Sequence, residues 1–155
     1  IFKSMTVREN VMVAALLRHR SVPVARRKAD EALAFTGLSG RAGDPAGQLT
    51  VAEQKRLEVT RALAIEPRLL LLDEVMAGLT SSEVHEAVEM VKRIRDRGIA
   101  CVVVEHVMEG IMPIADRVVV LERGRVIADG PPARVASDAA VIAAYLGEEY
   151  RAPGP

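Results

Sequence analysis

The sequence predicts an α/β fold in which a helical segment precedes parallel β-strands. Two short apolar runs, 69–72 and 99–104, are typical of strands buried on both faces of a parallel sheet. A helix-like segment lies between them, as a parallel crossover connection requires. Half of the 155 residues are apolar, which is enough for a sizeable core.

Three helix starts share one capping signature, in which a threonine is followed three residues later by a glutamate. The pairs are Thr6/Glu9, Thr50/Glu53 and Thr80/Glu83. Apolar stripes at helical spacing and glycines after the last turn add further boundaries. We therefore predict helices over four segments: 6–20, 24–35, 51–64 and 81–97.

The C-terminal part of the sequence predicts a hairpin and a last helix. Segments 118–121 and 126–128 are apolar strands separated by the turn-like 122–125, and the final helix spans 139–146. The helical and the α/β parts meet near a Glu-Pro pair at 66–67. We expect residues 1–66 to form a helical subdomain and residues 67–155 to form a second, α/β part.

Composition excludes several classes of protein. Twenty-one basic and 21 acidic side chains cancel, and there are only two Phe and two Tyr, so we expect no nucleic-acid partner. The single cysteine, Cys101, excludes an internal disulfide and a cysteine-based zinc site. No apolar run approaches the roughly 20 residues of a membrane span. Because the chain starts at Ile1, we expect a longer native polypeptide.

Polar side chains follow both predicted strands. Asp73 and Glu74 end the first apolar run, and His106 follows the second. Ligands of parallel α/β sheets bind beyond the carboxyl ends of the strands, where one carboxylate can hold Mg²⁺ and the next can polarise a water. A histidine there can contact a terminal phosphate. The alternatives are an acid pair and a histidine that are merely exposed to water.

The helix start at 49–53 is a second candidate site. Backbone N–H groups at a helix N-terminus attract phosphate, and the hydroxyl of Thr50 could add a further contact. The alternative is an ordinary capping box, because Glu53 stands at the position that caps the same helix.

The order of these motifs resembles an ABC transporter. LLLLDE (69–74) is followed by a loop over 77–80 and by VVVEH (102–106), as in the C-terminal portion of an ABC transporter ATP-binding subunit. The resemblance is strongest to the subunits of branched-chain amino acid uptake systems, over the following segments: 5–14, 56–74, 105–106, 114–132 and 141–149. It implies a P-loop NTPase-like (ABC ATPase) core, present in part, with parallel strands and an N-terminal helical (signature) subdomain.

The resemblance also implies a role for each motif residue. Asp73 would be the Walker B aspartate that supports Mg²⁺, Glu74 the catalytic carboxylate, and His106 the switch histidine. The signature motif, which closes over the ATP held by another subunit, would comprise Leu49, Thr50, Val51, Ala52 and Glu53. The D-loop, which crosses the dimer interface, would comprise Ala77, Gly78, Leu79 and Thr80.

ATP and Mg²⁺ are the cofactors that this resemblance implies. The implied partners are a second nucleotide-binding subunit, identical or related, and transmembrane permease subunits. The implied location is cytoplasmic, peripheral on the inner face of the plasma membrane. The transported substrate would be recognised by other subunits.

The sequence departs from the family pattern in the signature and in the phosphate loop. Ala52 replaces a glycine, Glu53 replaces the usual glutamine, and Val75 stands where proline is usual. The Walker A pattern G-x-x-x-x-G-K-[ST] and a Q-loop glutamine do not occur in these 155 residues. We therefore expect the isolated chain to bind MgATP weakly and not to hydrolyse it. A non-catalytic partner-binding or regulatory module and an ABC-type ATPase of repair or translation are the alternatives.

Overall fold

The computed structural model describes residues 1–146 and divides them between two units, residues 1–110 and residues 111–146. The helices are α1 Val7–Leu16, α2 Val22–Thr36, α3 Val51–Leu63, α4 Ser81–Asp96, α5 Met108–Ile111, α6 Pro132–Ala136 and α7 Ala139–Val141. The strands are β1 Leu69–Asp73, β2 Ala100–Val104, β3 Val118–Glu122 and β4 Arg125–Gly130. The C-terminal residues that follow 146 lie outside this description.

The three N-terminal helices of the first unit pack around one apolar core. Small side chains predominate where α1 and α2 approach each other. The core includes Val7, Val11, Ala15, Ala25, Ala29, Leu33, Leu38 and Leu57. Two buried hydroxyls, those of Thr36 on α2 and Thr60 on α3, share a hydrogen bond of 2.8 Å. The helical character predicted for the N-terminal part is therefore confirmed.

All three predicted capping boxes are present. In each, the threonine hydroxyl accepts the N–H of the third helical residue, and that residue's glutamate accepts the threonine N–H. α2 ends at Gly37, whose φ of 78° is in the left-handed region that favours glycine. The prediction for α1 was too long, because the helix ends at Leu16 and the chain turns before α2 starts.

The predicted parallel pairing is confirmed. β1 and β2 are adjacent and parallel, with Leu70 opposite Cys101 and Asp73 opposite Val104, and α4 forms the connection between them. Burial on both faces was a wrong prediction. Leu70 and Leu72 are buried, whereas Leu71 is 69% exposed. Side chains alternate between the two faces of a strand, and only one face of this two-stranded sheet is covered in the described residues.

The second unit contains the predicted hairpin, with a shorter turn than predicted. β3 and β4 are antiparallel and are joined by Arg123 and Gly124, which both have positive φ, as a two-residue hairpin turn of this kind requires. The helix predicted over 139–146 is α-helical only in α7, and a π-helical turn, Ile142–Leu146, follows it. α6 begins at Pro132 and was not predicted. The division near residue 66 stays a prediction.

Candidate functional site

Asp73, Glu74 and His106 lie at the carboxyl ends of the two parallel strands. Asp73 is the last residue of β1, and the N–H of Glu74 donates to the Val104 carbonyl at 2.9 Å, which continues the pairing one residue beyond the strand. His106 Nδ1 lies 4.0 Å from Glu74 Oε1, and both side chains are 61% exposed. The parallel register therefore brings Glu74 and His106 together, as the sequence predicted, and leaves both accessible.

Glu74 has an unusual backbone conformation. Its φ is 49°, a left-handed value that residues other than glycine rarely adopt. Its carbonyl accepts a hydrogen bond of 2.5 Å from Lys55 Nζ of α3 and a longer one, 3.4 Å, from the N–H of Ala77. Such conformations persist only where the surroundings hold them, and they are concentrated at functional sites. The backbone of Glu74 is thus held by hydrogen bonds at both its N–H and its carbonyl.

A second acid, Glu105, holds the loop that follows Glu74. Glu105 Oε1 accepts the N–H of Met76 at 2.6 Å. The other oxygen, Oε2, is buried and has no hydrogen-bond partner among residues 1–146. Sequence reasoning missed Glu105 and Lys55 as parts of the site. The signal available for Glu105 was its position, since it follows β2 just as Glu74 follows β1.

The predicted D-loop residues connect this edge to α4. Gly78 has a φ of 75°, and the N–H of Leu79 donates to the Met76 carbonyl at 3.2 Å. Thr80 is the N-cap of α4, and its N–H and hydroxyl, both donating to Glu83, lower the pKa of that carboxyl. The loop is therefore a tight turn whose last residue is committed to capping a helix.

The predicted signature residues form the start of α3. Leu49 is buried, Val51 is 60% exposed, and Thr50 forms the capping box with Glu53. First-turn N–H groups lack partners within a helix, and those of Val51 and Ala52 have no hydrogen-bond partner among residues 1–146, so they can meet an anion. In the described part of the chain, no hydrogen bond joins 49–53 to the strand-end residues, and Lys55 makes the link instead.

The carboxylate of Glu53 is paired with a cation. Arg41 Nη1 donates to Glu53 Oε1 at 2.8 Å, and Arg41 Nε donates to Asp44 at 2.5 Å. Glu53 Oε2 accepts the Thr50 N–H at 2.8 Å, so both oxygens are engaged. Arg41 therefore offsets only one of the two negative charges, those of Asp44 and Glu53, that lie beside this predicted phosphate-binding helix start. Sequence reasoning missed this pair because the two residues lie 12 positions apart.

The strand-end acids fit a nucleotide-bound magnesium ion better than a protein-only metal centre. Residues 1–146 contain no group of three or more His, Cys, Asp or Glu side chains that could hold a metal. Mg²⁺ at nucleotide sites needs only one or two carboxylates, together with phosphate oxygens and water. The exposed Asp73 meets that requirement.

None of the described helices is long and apolar enough to cross a membrane.

Family models match two parts of the chain. A model described as ABC transporter matches residues 1–77, and one described as branched-chain amino acid ATP-binding cassette transporter matches residues 125–151. The first match includes the signature candidates, Asp73 and Glu74, and the second begins at β4. His106 lies between the two matches.

Curated relatives match nearly the whole chain. The lipopolysaccharide export system ATP-binding protein LptB of Haemophilus influenzae is 32% identical over 97% of the chain and 63% of that protein. The branched-chain amino acid transport ATP-binding protein BraF of Pseudomonas aeruginosa is 34% identical over 96% of the chain and 64% of that protein. LivG of Escherichia coli, described in the same terms as BraF, is 35% identical over 96% and 64%. The chain thus spans just under two thirds of these relatives.

Solved ATP-binding cassettes share the fold. The ADP conformation of MJ1267, a cassette of an ABC transporter, superposes with a TM-score of 0.82 at 27% identity, over 95% of this chain and 65% of that chain. The cassette MJ0796, in a dimeric post-hydrolysis state bound to ADP and Pi, gives 0.74 at 26% identity, over 84% and 58%. The arrangement of helices and strands described above is therefore that of these cassettes.

Proposed function

Because this chain belongs to the ABC transporter family of ATP-binding cassettes, we propose that it carries the Walker B, signature, D-loop and switch segments of an ATP-hydrolysing transport subunit. The observation that carries this proposal is the approach of His106 to Glu74 at the ends of two adjacent parallel strands, directly after Asp73. An unrelated use of the fold would have no need for these three side chains at one edge.

Each strand-end residue has a role that its position allows. Asp73 holds Mg²⁺, which, when bound, neutralises phosphate charge. Glu74, with an exposed carboxylate, accepts a hydrogen bond from the attacking water and orients it. His106 donates a hydrogen bond to the terminal phosphate. Because its Nδ1 lies 4.0 Å from Glu74 Oε1, a movement of His106 after loss of that phosphate reaches Glu74 directly.

The start of α3 acts on the nucleotide of a second subunit. Thr50 and the N–H groups of Val51 and Ala52 approach the phosphates held by that subunit, and residues 77–80 contribute the D-loop to the same dimer interface. Arg41 supports this role in part: it pairs with Glu53 and with Asp44, so it offsets one of the two negative charges at this helix start. The second subunit is a copy of this polypeptide or a related one.

The transported cargo is proposed to be branched-chain amino acids. The support is the match of residues 125–151 to a family model of that description and the similarity to BraF and LivG. The cassette does not itself bind the cargo, which permease and binding partners recognise. The subunit accordingly works at the cytoplasmic face of the membrane.

Substitution of Glu74 tests the catalytic role. Glu74→Gln, made in the complete native subunit with its permease, keeps the shape of the side chain and removes the carboxylate. ATP turnover is expected to fall at least a hundredfold, in line with the loss of a general base, while ATP stays bound. Turnover is measured as phosphate release, and bound ATP is measured by filtration.

The matched control is Glu58→Gln on α3, which removes an exposed carboxylate that makes no ion pair within residues 1–146. Its turnover should equal that of the wild type. Wild-type turnover in Glu74→Gln would contradict the role of Glu74. No turnover in either the wild type or the control would favour a non-catalytic partner-binding or regulatory module.

The permease is proposed to dock on the helical segment of the first unit. Apolar side chains lie exposed where α1 ends and α2 begins: Val13, Leu16, Leu17 and Val22. Leu17 is 80% exposed, a large apolar area to leave in water. Two exposed arginines of α2, Arg26 and Arg27, follow Val22 in the sequence.

Charge reversal on α2 tests this docking face. Arg26→Glu should reduce co-purification of the permease with the tagged subunit, since it reverses an exposed charge at the contact. Arg125→Glu, on the hairpin of the second unit, is the control of equal charge change. Equal recovery of permease with both variants would place the docking face elsewhere.

A further inference from the structure

Lys55 contacts the backbone of the catalytic candidate from another element. It lies in the second turn of α3, and its Nζ donates to the Glu74 carbonyl at 2.5 Å across 19 residues of sequence. Within residues 1–146 Lys55 takes part in no ion pair. Its one described contact of this kind is therefore a charge-assisted hydrogen bond to the Glu74 carbonyl, which restrains the backbone of Glu74.

The backbone that Lys55 contacts has an unfavourable conformation. Glu74 adopts a φ of 49°, which is unfavourable for a residue with a Cβ. Its N–H is held by Val104 at 2.9 Å, but its carbonyl has, apart from Lys55, only the 3.4 Å contact with the Ala77 N–H. Without Lys55 the Glu74 carbonyl is weakly restrained. Because the direction of a side chain depends on its backbone, the Glu74 carboxylate would then be less precisely positioned.

We propose that Lys55 is a positioning residue that couples the signature helix to Glu74 within one subunit. This inference rests on the proposed function. Under that function the start of α3 contacts the nucleotide of the second subunit, whereas Glu74 acts on the nucleotide at its own strand ends. Lys55 lies five residues beyond Thr50 on the same helix, so a shift of α3 is transmitted to the carbonyl of Glu74.

The consequence is communication between the two ATP sites of a dimer. When the start of α3 contacts the nucleotide of the second subunit, it fixes the backbone position of Glu74, which acts on the nucleotide of its own subunit. The path contains one rigid helix and one charge-assisted hydrogen bond, and so needs no rearrangement of the core. The D-loop joins the same carbonyl through Ala77, which places a second interface segment at this point.

Two substitutions separate positioning from packing. Lys55→Met keeps the length and the apolar stem of the side chain but removes the donor, and Lys55→Arg keeps a charged donor of similar reach. In the complete subunit with its permease, Lys55→Met should lower kcat roughly tenfold with KM for MgATP within about twofold of wild type, because misplacement of a catalytic group costs turnover rather than binding. Lys55→Arg should restore most of the rate.

A double-mutant cycle tests the coupling itself. Thr50→Ala weakens engagement by the helix start, and its effect on kcat is measured in the wild-type and in the Lys55→Met backgrounds. If Lys55 transmits engagement, Thr50→Ala costs clearly less in the Lys55→Met background. Multiplicative effects on kcat, with each substitution acting as it does alone, would overturn the coupling.

Controls distinguish this inference from the proposed function. Lys92→Met removes a lysine of α4 that pairs with Glu89, and it should keep the wild-type kcat. Loss of turnover in Glu74→Gln together with a wild-type rate in Lys55→Met would overturn the role of Lys55 alone. Wild-type turnover in Glu74→Gln would overturn the proposed function first. A fall in both kcat and melting temperature that Lys55→Arg does not repair would assign Lys55 to packing and also reject the inference.

Discussion

At the scale of single residues, Gly110 shows how closely the loop after Glu74 is packed. A Cβ on this α5 residue would lie closer to the sulfur of Met76 than two non-bonded atoms approach, and within 3.6 Å of Val84. Met76 is fully buried and belongs to the loop that directly follows Glu74. The space for the loop therefore depends on the absence of a side chain at residue 110.

Gly110→Ala is expected to destabilise the protein by about 1–3 kcal/mol, the usual cost of overpacking a filled site. The measurement is the free energy of unfolding in urea. Gly43→Ala is the control, because a Cβ at Gly43 would meet nothing within 4 Å. The explanation also requires a smaller penalty for Gly110→Ala when Met76 has been changed to Ala, and equal penalties in both backgrounds would contradict it.

At the scale of elements, α2 and α3 are joined by a polar contact inside an apolar core. The hydroxyls of Thr36 and Thr60 share a hydrogen bond of 2.8 Å, and Thr60 donates to the Arg56 carbonyl at 2.7 Å. Both residues are buried. The Thr36 hydroxyl also lies 3.1 Å from the Ala32 carbonyl, so each hydroxyl has a backbone acceptor on its own helix besides the other threonine. Because a hydroxyl has one proton, the hydrogen bond between the two lets one threonine donate to the other, and the two positions depend on each other.

Thr60→Val is expected to cost about 1 kcal/mol of unfolding free energy, because it removes the hydrogen bond between the two hydroxyls while the Thr36 hydroxyl can still donate to the Ala32 carbonyl. The double change Thr36→Val with Thr60→Val should cost less than the sum of the two single changes, since it removes both polar groups together. Urea unfolding of all four proteins measures the coupling. Additive costs would show that the two hydroxyls act independently.

At the scale of the whole molecule, acids with lowered pKa values occur in both units. The Lys28 ammonium lowers the pKa of Glu66 in the first unit, and the Arg117 guanidinium lowers the pKa of Asp129 in the second. Thr6, which donates to the carboxylate from its N–H and hydroxyl, lowers the pKa of Glu9 in the same direction. Each carboxylate thus releases its proton more readily in the folded than in the unfolded chain.

Stability is therefore expected to fall as the pH falls. Carboxyls with lowered pKa values bind fewer protons when folded, so their full contribution is present above the unfolded values of about 4 and is lost as the pH falls through the lower folded values. Urea unfolding between pH 7 and pH 3 measures this. Glu66→Gln should make the loss on the acid side smaller, with Glu58→Gln as the control. A stability that rises toward pH 3 would contradict this account.

Local patterns in the sequence determined much of this protein. The capping boxes follow from a threonine and a glutamate at fixed spacing, because the partners lie within one helical turn. The placement of Asp73, Glu74 and His106 at one edge follows from two apolar runs and a crossover helix, because parallel strands end on the same side. These features were predictable since each depends on a short stretch of chain or on a general rule of topology.

Only the tertiary structure decided what surrounds those residues. The contacts of Lys55 with Glu74 and of Glu105 with Met76 join positions 19 and 29 residues apart. No local spacing predicts such pairs, because they arise from how α3 and the strand ends pack. The exposure of Leu71 is decided in the same way, by which face of the sheet another element covers. The sequence by itself thus determined which polar groups lie at the strand ends, and packing at long sequence separation decided what holds them.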